Sequence, residues 1–192
     1  MTKHFSILAI ALMAVVVAFS SCKKDPKPEP TPVIPTPVYE KTTVDVTLTL
    51  SDDLRQFMNI GLTINDFEGN EQIVALSDSI VLQYETKAKS ASMKTIFTIA
   101  PKPASELPVI DTNHIYSFSI DGLGNIAALD DEGKIISNQN IGLIKFPSPG
   151  FGIELEGKEM TPEHIAQIQR TFGAFGVTRT FTVKNGGTVV VN

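Results

Sequence analysis

The stretch Thr43–Leu50, with the sequence TVDVTLTL, alternates polar and apolar residues without a break. Its apolar members are Val44, Val46, Leu48 and Leu50. Because successive side chains of a β-strand point to opposite faces, this period of two predicts a strand with one buried face. A second alternating set follows at residues 58–64, so the sequence predicts two successive strands of the same kind at the start of the domain.

Short connections separate these strands from one another and from the next. Ser51-Asp52-Asp53-Leu54 suits a single helical turn with a side-chain N-cap. Residues 65–70 have turn chemistry, with Gly69 free to adopt a positive φ, and residues 73–76 are expected to return as the hairpin partner.

The rest of the chain continues the pattern of short apolar runs between turn signals. Turns are expected at residues 121–125, 130–133 and 185–187, and residues 101–108 form a loop. Asn185-Gly186 between two such runs is a strong hairpin signal. Further strands are predicted at residues 80–85, 95–99, 115–120, 126–129, 134–136, 141–146, 177–183 and 188–191.

One helix is predicted near residues 161–172. Thr161 is a good N-cap, Pro162 occupies the first helical position, and Gly173 can end the helix. Many short strands with one short helix indicate an all-β fold, and we predict an antiparallel β-sandwich of immunoglobulin-like (Ig-like) type over residues 39–192.

The N-terminus has the layout of a secretory signal peptide over residues 1–21. Lys3 and His4 precede an apolar run, residues 5–19, that is shorter than the roughly 20 residues needed to span a bilayer. An uncleaved membrane anchor is the alternative.

Phe19-Ser20-Ser21-Cys22 resembles the lipobox of bacterial lipoproteins, with Phe19 in place of the usual Leu and a suitably small Ser21. The resemblance implies that Cys22, the single cysteine of the chain, becomes the acylated N-terminus. Two or three acyl chains hold a protein stably on a membrane, whereas one binds only marginally.

Lys23-Lys24-Asp25 resembles the charged start of lipoproteins that Bacteroidota export to the outer face of the outer membrane. The resemblance implies display at the cell surface, with the periplasmic face as the alternative. Residues 26–37 are rich in proline and predict an extended polyproline II spacer of roughly 37 Å. Residues 22–38 thus form the lipidated cysteine and its spacer, although Pro32–Pro35 also fits a P-x-x-P ligand.

The start of the domain resembles small uncharacterised surface lipoproteins of Bacteroidota. The resemblance rests on Val46–Leu50, on Ser51-Asp52-Asp53-Leu54-x-x-Phe57 and on Asp66-x-x-Gly69. It implies a class and a location, and it brings no activity or site. The formal net charge of −5 and the scattered lysines do not suggest a nucleic-acid partner.

No catalytic, cofactor-binding or metal-binding residue is predicted, and the chain is expected not to be an enzyme. The sequence contains no nucleophile elbow, metalloprotease helix, phosphate loop or dinucleotide fingerprint. His114, beside Asp111 and Asn113, fits either a metal or base site or a polar turn at a strand end. His164 is expected to be solvated at the start of the helix.

Acidic clusters have two interpretations each. Glu154, Glu156, Glu159 and Glu163 fit a glycosidase pair or a solvated face, and like charges in sequence favour the solvated face. Residues 130–133 fit a calcium loop or a hairpin turn, and the ligand spacing favours the turn.

Two further features concern the surface. Residues 146–152 form a loop in which Phe146 and Phe151 either bind a partner or tuck under the sandwich. Asp78-Ser79-Ile80 matches the short O-glycosylation pattern of exported Bacteroidota proteins, which implies that Ser79 is a glycosylation site at a loop before a strand.

The sequence therefore predicts a membrane-anchored lipoprotein that presents a non-enzymatic β-sandwich at the cell envelope and meets a protein or glycan partner. The terminal strand, residues 188–191, suggests pairing at a sheet edge. The alternative is a glycan-binding accessory of polysaccharide uptake, although the chain has no Trp and only three Tyr. A hydrolase that uses residues 154–163 is the third hypothesis.

Overall fold

The computed structural model of the protein describes residues 38–144, 151–184 and 188–192, which belong to one structural unit, Thr36–Asn192. These described residues form ten β-strands and two α-helices. The strands are Tyr39–Leu50 (β1), Met58–Asn65 (β2), Glu71–Ile73 (β3), Ser79–Thr86 (β4), Ala91–Pro101 (β5), Ile115–Asp130 (β6), Ile135–Gly142 (β7), Phe151–Glu156 (β8), Val177–Lys184 (β9) and Thr188–Val191 (β10). The helices are Asp52–Phe57 (α1) and Pro162–Gly173 (α2), and short 3-10 turns lie at Ala104–Glu106 and Gly157–Glu159.

The strands form two antiparallel sheets with their apolar faces together. The first sheet has the order β4-β1-β6-β7, and β8 pairs with the other half of the same edge of β6. The second sheet has the order β10-β9-β5-β2-β3. A Cβ built on Gly124 in β6 would lie 3.8 Å from the ring of Phe181 in β9, so the sheets meet closely. The predicted all-β antiparallel sandwich is confirmed.

Strand β1 lies in the middle of the first sheet, between β4 and β6. Val44, Val46, Leu48 and Leu50 are all buried, whereas the threonines between them lie on the outer face. Burying four aliphatic side chains contributes about 1.5–3 kcal/mol for each one. The alternation at residues 43–50 therefore predicted the buried face of the strand correctly.

Helix α1 confirms the predicted capped turn after β1. The Ser51 hydroxyl oxygen accepts a hydrogen bond from the Leu54 amide at 3.3 Å and a second from the Ser119 amide at 2.9 Å. The cap thus satisfies an unpaired amide of the helix and also ties α1 to β6.

Strand β6 corrects the prediction of two strands separated by a turn at residues 121–125. It is one strand of 16 residues that runs through Gly122 and Gly124. A Cβ on Gly122 would lie 3.2 Å from Ile144, 3.3 Å from Leu143 and 3.4 Å from Leu48. Glycine is present here because neighbouring side chains occupy the space above the strand, and not because the backbone turns.

Two shorter expectations are also corrected. The strands predicted at residues 134–136 and 141–146 are one strand, β7, that ends at Gly142. The hairpin partner predicted at residues 73–76 is the three-residue strand β3, which ends at Ile73. The Leu62 carbonyl still accepts a hydrogen bond from the Val74 amide at 2.9 Å, although Val74 lies beyond the strand.

Helix α2 confirms the predicted helix and its cap. The Thr161 hydroxyl oxygen accepts a hydrogen bond from the His164 amide at 3.3 Å. The Gln169 side chain donates hydrogen bonds at 3.0 Å to the carbonyls of Phe57 and Lys102. These bonds satisfy carbonyls at the end of α1 and after β5, and they hold α2 against the end of the sandwich.

The turns follow their predicted chemistry where the structure describes them. Gly69 and Gly133 have φ values of +87° and +79° in the turns after β2 and β6. The predicted turn at residues 185–187 lies outside the described residues, but β9 and β10 pair as an antiparallel hairpin. Strands β2, β4, β5, β9 and β10 lie where the sequence predicts them.

Candidate functional site

The end of the sandwich that carries α1 brings together a carboxylate and an imidazole. The Nε2 atom of His114 lies 3.2 and 3.3 Å from the two carboxylate oxygens of Asp53. The Ser117 amide donates a hydrogen bond to Asp53 Oδ2 at 2.7 Å. Asp53 is buried, and the side chain of His114 is about half exposed.

Of the two interpretations of His114 and its sequence neighbours, the structure supports the polar turn at the start of a strand. The Asp111 carboxylate caps a local turn by accepting a hydrogen bond from the Asn113 amide at 2.8 Å. The partner of His114 is Asp53, which lies 61 residues away along the chain. Sequence reasoning identified Asp53 only as part of the capped turn, because nothing local indicates a contact across that separation.

The His114–Asp53 pair joins α1 to the start of β6. The edge of the His114 ring also packs against Tyr116, with ring centroids 4.5 Å apart. A buried carboxylate that orients an imidazole is an element of general-base catalysis, but that chemistry also needs a positioned nucleophile or metal. In the described part of the chain, no group of three or more His, Cys, Asp or Glu side chains could hold a metal ion.

The four glutamates of the predicted cluster lie on three successive elements, which are β8, the 3-10 turn and α2. Glu154 and Glu156 lie on the exposed face of β8. Glu156 and Glu159 form a reciprocal capping box around the 3-10 turn, in which Glu159 accepts a hydrogen bond from the Glu156 amide at 3.1 Å. Glu163 lies in the exposed first turn of α2. Two of the four carboxylates are therefore committed to local backbone capping.

Residues 130–133 form a hairpin turn. The Asp130 carboxylate accepts hydrogen bonds from the amides of Glu132 and Lys134 at 3.1 and 2.7 Å. Asp130 is buried and its Oδ1 is engaged by the turn itself. His164, in turn, is exposed as predicted, and its Nδ1 bonds to the Glu159 carbonyl.

Ser79 is exposed at the first position of β4, an outer strand of the first sheet. The neighbouring Asp78 carboxylate forms an ion pair with Arg55 of α1. Ile80 is buried, so the backbone orients Ser79 outward while its neighbour anchors the strand.

Of the loop predicted at residues 146–152, the structure describes Phe151 and Gly152, and it corrects the prediction there because both residues belong to strand β8. The Phe151 ring packs against Phe172 and Phe175, with centroid distances of 5.4 and 5.5 Å, so its aromatic surface contributes to the core. Phe146 lies outside the described residues, as does Cys22.

The outer face of the first sheet carries a row of polar side chains that cross four strands. Asp45 lies directly opposite Gln83 on β4 and opposite Asn125 on β6, and Asn125 lies opposite Asn140 on β7. Directly opposed residues of antiparallel strands share a face, so all four side chains lie on the side away from the core. We call Gln83, Asp45, Asn125 and Asn140 the polar row.

The edge strands on the two sides of the sandwich differ in charge. The Tyr84 hydroxyl donates a hydrogen bond to Gln72 at 2.8 Å, which places the β4 and β3 edges together. The Arg179 side chain donates to the Gly142 carbonyl at 3.3 Å, which places β7 beside the β9–β10 hairpin. The β4 edge carries ion pairs at its end, Lys41 with Glu85 and Lys87 with Glu40, each at 2.7 Å.

Among the described residues, β7 differs from β4 in that the strand carries no charged side chain. Its sequence, IISNQNIG, contains neither a charged residue nor a proline, and six of its eight residues are exposed. The adjacent β10 is also uncharged over its four residues. Native proteins usually blunt long sheet edges with charges, prolines or short strands, because an unpaired edge is a template for another strand.

No protein-family model matches the chain, and no curated protein matches its sequence. Within residues 38–144, 151–184 and 188–192, no helix has both the length and the apolar character to cross a bilayer.

Proposed function

We propose that the protein is a lipoprotein of the bacterial outer membrane whose acylated Cys22 tethers a non-enzymatic interaction module. In this proposal the domain is displayed at the cell surface and binds an extended segment of a protein partner along the uncharged β7 edge of the sandwich. The observation that carries the proposal is the contrast between the charged β4 edge and the uncharged, exposed β7 edge.

The described chain begins at the end of the sandwich opposite α1. The described chain starts at Val38, whose carbonyl accepts a hydrogen bond from the Asp131 amide beside the β6–β7 turn. His114 precedes the opposite end of β6, and a strand of 16 residues extends about 50 Å. Val38 and α1 therefore lie at opposite ends of the sandwich.

The lipid anchor is tested by metabolic labelling of the full chain with a palmitate analogue. We expect incorporation into the protein and its loss in the Cys22→Ala variant, because the diacylglyceryl group is attached to the thiol through a thioether. Incorporation that persists in the variant, or a mature protein with an unmodified thiol by mass spectrometry, would contradict the anchor.

The edge is tested by placing a photo-cross-linking residue at position 139 of the full-length protein on intact cells. We expect covalent adducts, whether with another protein or with a second copy of the chain, because Gln139 lies in the middle of the exposed edge. The same residue at position 81, an exposed position of β4 outside the polar row, serves as the reference site.

Matched lysine substitutions distinguish strand pairing at the β7 edge from nonspecific association. Ile135 on β7 and Val81 on β4 have 55 % and 63 % of their surface exposed, so both tolerate a lysine in the folded protein. Ile135→Lys should reduce adducts from position 139 because a charge disfavours strand pairing, and Val81→Lys should leave them unchanged. Equal adducts at positions 139 and 81, or no effect of Ile135→Lys, would overturn edge pairing.

A further inference from the structure

The polar row lies on the outer face of the first sheet and reaches β7 only at Asn140, and its geometry is that of a flat array of hydrogen-bonding groups. Gln83, Asn125 and Asn140 are exposed, and Asp45 is half-buried between its neighbours. Three interstrand spacings separate the two ends of the row, which is a length of about 14 Å. Amide and carboxylate groups supply both donors and acceptors along this line.

The row borders a depression that is large enough for a small ligand. The depression has a volume of about 450 Å³, and its lining includes Lys41, Thr43, Asp45, Gln83 and Glu85. Volumes of this size are typical of small-molecule sites. The next row across the sheet, in which Thr43 lies opposite Glu85 and Ala127, continues the floor toward β6.

Apolar groups alternate with the polar ones on the same face. Along β6 the outward residues on either side of Asn125 are Leu123 and Ala127, both half-buried. The surface therefore offers apolar patches between hydrogen-bonding groups. A pyranose ring has the same character, since its hydroxyls lie at the rim and its C–H groups form apolar faces.

The charges of the depression favour a neutral ligand. The Lys41 ammonium bonds to Glu85 at 2.7 Å, and this hydrogen bond lowers the pKa of the Glu85 carboxyl below its usual value. Because its cation is already paired and Asp45 adds a further carboxylate, the depression would repel phosphate, sulfate or uronate groups. Carboxylate and amide groups that remain accessible suit hydroxyl donors.

We propose that the outer face of the first sheet binds a neutral oligosaccharide that lies across the strands along the polar row. Asp45 accepts hydrogen bonds from ring hydroxyls at the centre, Gln83 and Asn125 bind on either side, and Leu123 and Ala127 contact the C–H faces. The site does not depend on the β7 edge or on acylation of Cys22.

The experiment uses the purified full-length protein in detergent micelles and isothermal titration calorimetry. The probes are neutral β-linked hexasaccharides of glucose, xylose and mannose, with a sulfated heparin fragment as the charged comparison. We expect at least one neutral hexasaccharide to bind and the heparin fragment not to bind. Failure of every neutral hexasaccharide to bind at millimolar concentration would overturn the proposal.

Paired variants locate the site. Asp45→Ala should weaken binding about ten-fold, because it removes hydrogen bonds to a charged group, and Asn125→Ala should weaken binding less, because its amide is neutral and exposed. Asn59, an exposed strand asparagine on the second sheet, provides the matched control, and Asn59→Ala should leave binding unchanged. Ile135→Lys should also leave it unchanged, which separates this site from the edge.

Circular dichroism confirms that each variant is folded before titration. Binding that survives both row substitutions, or that weakens equally in Asn59→Ala, would overturn the assignment of the row. If no adducts form at position 139 while the saccharide still binds, only the proposal of strand pairing at the β7 edge is rejected.

Discussion

Asp53 shows how one residue can serve a role that its local sequence does not reveal. Locally it is an acidic residue in the first turn of α1, where it complements the helix dipole. In the folded chain its carboxylate also satisfies the Ser117 amide and contacts His114. The same side chain therefore stabilises the start of α1 and attaches this helix to β6.

Asp53→Ala should lower the free energy of unfolding by about 1–3 kcal/mol, because it leaves the half-buried Ser117 amide without its acceptor. Urea denaturation monitored by circular dichroism measures the change. Asp52→Ala, an exposed neighbour on the same helix, should cost less than about 1 kcal/mol because its ion pair with Arg55 is at the surface. Equal losses in the two variants would contradict this role for Asp53.

Strand β6 organises the first sheet at the scale of elements. It pairs with β1 along one edge and with both β7 and β8 along the other. This double pairing requires a long, uninterrupted strand, and Gly122 lets the strand pass beneath Leu143 and Ile144. The sequence alone does not distinguish a glycine that close packing requires from a glycine that a turn requires.

Gly122→Val should destabilise the protein by about 1–3 kcal/mol, because the added side chain would overpack a site where contacts at 3.2–3.4 Å already meet the Cβ position. Gly152→Val on β8 is the matched control, since its Cβ would lie at an ordinary 3.6 Å from Ser119. Thermal unfolding of the two variants should show a lower midpoint for Gly122→Val alone. A similar loss in both would indicate that strand glycines matter for another reason.

At the scale of the whole molecule, the sandwich has distinct surfaces with separate proposed roles. On one side, β4 carries ion pairs at its end and β3 has only three residues, whereas β7 and β10 on the other side are uncharged. The outer face of the first sheet carries the polar row. The two proposed binding surfaces meet at β7, where Asn140 ends the row and the strand itself forms the edge. A ligand on one surface and a strand on the other could therefore be bound at the same time.

The sequence alone was sufficient for the fold class, the capped turn at Ser51, the helix that starts at Pro162 and most of the strands. Each of these depends on local physics: alternation with a period of two, side-chain caps and turn residues act over a few neighbouring positions. The signal peptide and the acylation of Cys22 were predicted from an apolar run and a resemblance to a lipobox, and they stay predictions because these residues lie outside the described ones.

Only the tertiary structure decided the continuity of β6, the pairing of His114 with Asp53, the alignment of the polar row and the contrast between the two edges. Each depends on which strands become neighbours and in which register, and register is set by packing between residues far apart in the chain. Asp45 and Asn125 are 80 residues apart, yet they lie side by side because β1 and β6 share an edge. No local pattern specifies that adjacency.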